Sequence, residues 1–211
     1  MNITPISTLH PALAELPLIA ILRGIRPDEA EAIGGALWRA GFRVIEVPLN
    51  SPDPLASIRL LRKALPQALV GAGTVLDVAQ VEALATVDCQ LIVAPNLDIK
   101  VVAEARARGM LCMPGVATPT EAFAALRSGA HALKLFPAEG LPPSVVKAWR
   151  ATLPAGVGLF PVGGITPERM ADYRAASANG FGLGSALYTP GLSATDVADR
   201  AARFVKAWHA S

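Results

Sequence analysis

Short apolar runs recur along the chain, separated by longer stretches in which apolar residues return at helical spacing. The runs predict strands at Leu18–Leu22, Val44–Pro48, Leu69–Ala72, Leu91–Ala94, Leu111–Pro114, Ala132–Phe136, Leu159–Val162 and Phe181–Leu183. Between them the spacing predicts helices, among them Pro27–Ala40, Asp77–Thr86, Ile99–Ala107, Thr120–Arg127, Ser144–Thr152 and Pro167–Ala175, with a last one at Ala194–Ala210. Gly41, Gly109 and Gly129 follow helical windows, where a left-handed C-terminal cap suits glycine. Pro27, Pro119 and Pro167 suit first helical turns, and Thr118 and Thr166 are N-cap candidates.

Strands that alternate with helices pair in parallel through right-handed crossovers. Eight such units at roughly 20–25 residues each predict a compact (β/α)8 TIM barrel. A doubly wound open sheet competes, but Arg23-Gly24-Ile25-Arg26 stands where its G-x-G-x-x-G would follow the first strand. The segment before Leu18 reads as an extra N-terminal helix covering the barrel's bottom. No proline- or serine-rich linker divides the sequence, so residues 1–211 are expected to form one domain.

Composition narrows the classes. Hydrophobic residues make up 52% of 211, enough for a large core, and the net charge of +2 comes without a block of like charges. That excludes the basic stripe of a nucleic-acid binder. No long uninterrupted apolar window suggests a membrane span, and Met1–Leu16 lacks the pattern of a secretory leader. Two cysteines, Cys89 and Cys112, both in apolar surroundings, suggest reduced thiols and a cytoplasmic setting. His10, His131 and His209 show no ligand spacing, so neither a metal nor another cofactor is expected. His131 opens the sixth strand, at the wrong end for chemistry, and reads as structural.

The polar exceptions fall where such a barrel places chemistry, at the C-terminal ends of its strands. Arg23, Glu46, Thr74, Pro95-Asn96, Pro114-Gly115, Lys134, Gly163-Gly164 and Gly184-Ser185 mark the eight ends in order. Lys134 interrupts the apolar run His131–Pro137. On an edge strand it could simply face solvent; inside the barrel, burial would lower its pKa and make a nucleophilic amine that condenses with carbonyls. Alternation puts Lys134 and Phe136 inside with Leu133 and Leu135 outside, and Glu46 inside with Val44 and Pro48. The two ionisable groups could be an architectural ion pair, though such pairs rarely gain stability over apolar packing. Otherwise they perturb each other as catalytic groups do. Arg23 could equally be a surface ion-pair residue, and Thr74 a helix cap.

Val162-Gly163-Gly164-Ile165-Thr166-Pro167 and Gly182-Leu183-Gly184-Ser185 are glycine turns after strands seven and eight, the first leading into a helix start. Backbone N–H groups there can approach an anion, and these two loops are the usual phosphate site of the fold.

The ordered set Leu18–Gly24, Val44–Pro52, Val70–Val75, Ala94–Asn96, Met113–Thr118, Leu133–Ala138 and Val162–Ile165 resembles the 2-keto-3-deoxy-6-phosphogluconate and -phosphogalactonate aldolases, from about Leu16 to the C-terminus. The resemblance implies a class I enzyme on a trimeric (β/α)8 barrel that splits a phosphorylated sugar acid into pyruvate and glyceraldehyde 3-phosphate. It implies Lys134 as the Schiff-base lysine and Glu46 as the proton-shuttling acid/base. Arg23 and Thr74 would help hold the substrate carboxylate, Gly163, Gly164, Gly184 and Ser185 the phosphate. Pro95, Pro114 and Phe136 would wall the lysine. The phosphogluconate branch typically carries an arginine where this chain has Asn50; Pro48-Leu49-Asn50-Ser51-Pro52 looks like the phosphogalactonate branch, with carboxylate binding passing to Arg23. A phosphosugar epimerase or isomerase, or a non-catalytic phosphosugar-binding barrel, could share the barrel and the glycine loops, but neither needs a lysine that forms an imine.

Overall fold

The computed structural model describes residues 4–210, and in it eight parallel barrel strands alternate with helices. The strands are β1 (Leu18–Ile21), β2 (Val44–Pro48), β3 (Leu69–Gly73), β4 (Leu91–Val93), β5 (Leu111–Met113) with β6 (Gly115–Val116), β7 (Ala132–Leu135), β8 (Gly158–Pro161) and β9 (Phe181–Leu183). β5 and β6 are two pieces of the fifth barrel strand. Pro114 between them has no N–H for the ladder, so the strand expected to stop there is interrupted and then resumes.

One sheet runs β5-β4-β3-β2-β1-β9 and a second β6-β7-β8. A bridge between Val162 and Gly182 joins them on one side. On the other, His131 N–H donates to the Cys112 carbonyl and Lys134 N–H to the Pro114 carbonyl, both at 3.0 Å. The ring is closed, a (β/α)8 barrel.

The outer helices are α3 (Pro27–Arg39), α4 (Pro54–Ala64), α5 (Val78–Ala85), α6 (Ile99–Ala107), α7 (Pro119–Arg127), α8 (Pro143–Arg150), α9 (Met170–Ala175) and α10 (Ala194–Ala210). Gly41, Gly109 and Gly129 do adopt positive φ after their helices. Thr118 caps α7, its hydroxyl accepting from Glu121 N–H at 3.3 Å. Thr166 departs from expectation. Its side chain makes no cap bond to the backbone, and the chain after it forms a 3-10 turn, Pro167–Arg169, before α9.

The single helix expected before β1 is two short ones, α1 (Ile6–Leu9) and α2 (Pro11–Glu15). His10 separates them, and its Nδ1 accepts from Ala12 N–H at 3.1 Å. α2 pushes Ala12 and Leu13 into the N-terminal end of the lumen, against Ile19, Val44, Leu69, Leu91 and Phe160. Leu13 is fully buried, which contributes about 2 kcal/mol from its side chain alone. Alternate strand residues, such as Ile45, Val47, Leu133 and Leu135, pack outward against the helices. His131 sits at this lower end, its Nδ1 accepting from Cys112 N–H and its Nε2 against Arg106; burial pushes its pKa down to about 4. Cys89 and Cys112 are free and buried. Among the described residues no helix is long and apolar enough to cross a membrane, and no group of three His, Cys, Asp or Glu side chains could hold a metal.

Candidate active site

Above the apolar stopper the lumen turns polar. Glu46 is 1% exposed and Lys134 5%. Each occupies the inward position that alternation predicts, two residues further along than Val44 and Ala132 of the lower layer. Lys134 is not on an edge: β7 lies between β6 and β8, with Gly115 and Phe160 as its register partners.

Glycines make room for these groups. Glu46 faces Gly71 in register, and a Cβ on Gly73 would fall inside the Glu46 carboxylate. Gly115 lies so close to the Pro95 carbonyl that a Cβ there would strike it. Small residues on neighbouring strands therefore leave space for the acid and the amine, rather than serving only as turns.

No ion pair within 4.0 Å joins Glu46 to Lys134 among the described residues. Glu46 Oε2 is buried without a hydrogen-bond partner. Burial raises the Glu46 pKa to about 7, opposed by the nearby charges of Lys134 and Arg23. Burial lowers the Lys134 pKa; Glu46 opposes this and Arg23 adds to it. The amine sits 4.7 Å from the centroid of the Phe136 ring. The pair is thus an acid near neutrality and an amine with a weakened hold on its proton, close enough to influence each other but not in contact.

Lys134 opens into a cavity of about 430 Å³ at the C-terminal mouth of the barrel. Arg23, Phe136, Gly163, Gly164, Gly184 and Ser185 line it too, so these sequence candidates converge. Glu46 is buried within reach of the charges of two lining residues, Lys134 and Arg23. Thr74, Pro95 and Pro114, at the ends of β3, β4 and β5, do not line it; Pro114 is buried, and Thr74 holds a left-handed φ of 57°. Arg23 Nη1 donates to Asn50 Oδ1 at 2.8 Å, and Gly24 N–H to Ser51 Oγ at 2.9 Å. These two bonds tie the loop after β1 to the loop after β2 and orient the guanidinium.

At the far side of the cavity Gly163 and Gly164 take φ of 110° and 58°. The N–H groups of Gly164, Ile165, Ser185 and Ala186 donate to no protein acceptor among the described residues. Such clustered donors form an anion-binding concavity. The donors belong to loops, since α9 is only six residues long and begins after the 3-10 turn.

Glu139 was not among the sequence candidates, yet it lines this cavity, and a Cβ on Gly163 would collide with its carboxylate. Its place immediately after Phe136-Pro137-Ala138 at a strand end was the available signal. Its charge opposes an anion here, so the loop donors and Arg23 must outweigh it.

Residues 9–202 match the family described as "Aldolase: KDPG and KHG aldolase". The chain is 52% identical over 195 residues to the 2-dehydro-3-deoxy-6-phosphogalactonate aldolase of Escherichia coli K12, covering 92% of this chain and 95% of that one. A solved structure described as "Native KDPGal structure" superposes with a TM-score of 0.92 at 51% identity, covering 93% and 96% of the two chains. A porous, cube-shaped protein cage designed by fusing symmetric oligomeric domains superposes at 0.91 and 51% identity, covering 93% of this chain and 73% of that one.

Proposed function

The chain belongs to the KDPG and KHG aldolase family, and on that premise we propose that Lys134 is its Schiff-base lysine and Glu46 its proton shuttle. The enzyme is a class I aldolase, and its substrate is read as 2-dehydro-3-deoxy-6-phosphogalactonate, cleaved to pyruvate and D-glyceraldehyde 3-phosphate. One observation carries the reading: a buried, unpaired amine opens into a cavity whose far wall is a cluster of free backbone donors.

The Lys134 amine attacks the C2 ketone, and the carbinolamine loses water to give an iminium ion. Glu46, near neutrality and with one oxygen uncommitted, supplies and removes the protons, acting through a water because it does not touch the amine. General acid–base groups work best with a pKa near the operating pH. The iminium draws the electrons of the C3–C4 bond as the C4 hydroxyl loses its proton. Glyceraldehyde 3-phosphate is released, and the enamine takes a proton at C3 and is hydrolysed to pyruvate, restoring the amine. Phosphate held by Gly163, Gly164, Gly184 and Ser185 fixes the substrate away from the reacting carbons, which supplies orientation. Arg23, steered by Asn50, takes the carboxylate. Thr74, at the end of β3, is read as sharing in that, and Pro95 and Pro114 as shaping the wall around the lysine.

The galacto and gluco substrates should be compared side by side, with borohydride added to a parallel sample containing pyruvate. The galacto epimer is expected to have the higher kcat/KM, EDTA is expected to leave activity intact, and the reduced adduct is expected on Lys134. An adduct on another lysine would remove the central assignment; preference for the gluco epimer would remove the substrate. The chain is further read as a homotrimer, supported by the family resemblance and by the likeness to a cage component built from symmetric oligomers. Sedimentation at three times the chain mass is expected, and a monomer would refute it.

A further inference from the structure

We propose that Arg169 is a positioning residue for the substrate phosphate, acting from outside the cavity on the peptide that joins Gly164 to Ile165. The inference rests on the phosphate-binding reading above. Arg169 Nη1 donates to the Gly164 carbonyl at 2.7 Å. Across a trans peptide the following N–H points the opposite way from that carbonyl. Ile165 lines the cavity, whereas Arg169 does not, so the bond pulls the carbonyl outward and aims the Ile165 N–H inward. That N–H has no protein acceptor among the described residues. A charged donor on a peptide's carbonyl also polarises its N–H, strengthening the bond that N–H can give.

The arginine is itself held. It closes the 3-10 turn Pro167–Arg169, and its guanidinium lies 5.7 Å from the centroid of the Tyr173 ring. Tyr173 is buried, with its hydroxyl at 2.9 Å from the Ala138 carbonyl and 3.2 Å from that of Leu141. One turn of chain thereby braces the loop after β8 and the turn after β7 that carries Glu139. No carboxylate lies within ion-pair distance of Arg169 among the described residues. The Glu139 carboxylate stands across Gly164: a Cβ on that glycine would lie 3.0 Å from Glu139 Oε1, beyond which the guanidinium bonds the Gly164 carbonyl. Gly164 permits the approach, since a Cβ there would lie 3.1 Å from Nη1. The loop after β9 carries a looser copy of the arrangement: Arg200 of α10 reaches the Ser185 carbonyl at 3.4 Å, and the next residue, Ala186, lines the cavity.

Arg169→Met and Arg169→Lys test this. In Arg169→Met, KM for the phosphorylated substrate is expected to rise roughly ten- to a hundredfold with kcat nearly unchanged, the effect of losing one charge-assisted bond. Inorganic phosphate, titrated by calorimetry against the whole protein, is expected to bind more weakly by a similar factor, and Arg169→Lys to recover much of the loss. Borohydride trapping of pyruvate, which has no phosphate, should match the parent. Equal phosphate affinity in parent and Arg169→Met overturns the proposal, as does a parallel fall in pyruvate trapping, which would mean general damage. Failure of trapping in the parent would instead remove the Schiff-base reading and leave the calorimetric comparison standing.

Discussion

Lys134→Met should lower turnover by about four orders of magnitude or more, as removal of a covalent nucleophile does, while the barrel stays folded. Methionine fills nearly the same volume without a charge. The native amine is buried, makes no ion pair within 4.0 Å, and has burial as the largest influence on its pKa. Burial disfavours the charged form of this amine, and an apolar side chain of similar size removes that desolvation cost, so the melting temperature of the variant should equal or exceed that of the parent. Circular dichroism and a pyruvate-release assay read the two halves of this expectation. Residual turnover near the parent's, in a protein that still traps pyruvate, would show that the imine forms elsewhere.

Glu46→Gln should reduce kcat by about 10²–10⁴, the usual contribution of a positioned acid/base group, with KM changed far less. The same substitution has a signature in stability. A carboxyl raised from 4.5 to about 7 in the folded protein binds more protons folded than unfolded between those values, so stability falls as pH rises through that window. About 2.5 decades at about 1.4 kcal/mol each set an upper limit of roughly 3–4 kcal/mol. Glutamine cannot titrate, so the variant should lose this slope and exceed the parent in stability above pH 7. Lys134, with its pKa lowered, gives the opposite slope: stability gained as pH rises toward 10.5. Denaturant melts at a series of pH values separate the two. An unchanged slope between pH 4.5 and 7 in Glu46→Gln would mean that the acid is ionised in the native protein at neutrality.

Most of the barrel was legible because strands buried on both faces read as continuous apolar runs, and β2 and β9 fall on their expected bounds. α6 and α10 do as well. The interruption at Pro114 and the division of the N-terminal helix at His10 depend on which backbone N–H finds a partner in three dimensions, and residue type alone does not fix that. The same holds within the site. Lys134 and Glu46 stood out because charges in apolar runs are costly. That the two do not touch, that Gly73 is hollowed for a carboxylate, and that Glu139 stands beside Gly163 are facts of separation between distant segments. Thr74 stands just past the end of β3, as the strand pattern predicts, but its left-handed φ of 57° depends on the local path of the chain and not on residue type.

The wedge formed by Ala12 and Leu13 plugs the lower end of the lumen, so the cavity beside Lys134 opens at the C-terminal mouth. On the Schiff-base reading proposed above, a three-carbon fragment bonded to Lys134 would lie toward the closed end and the phosphorylated aldehyde at the rim. Traffic through that mouth must then be last-in, first-out: the aldehyde departs before pyruvate is freed, and in the synthetic direction pyruvate must load before the aldehyde enters.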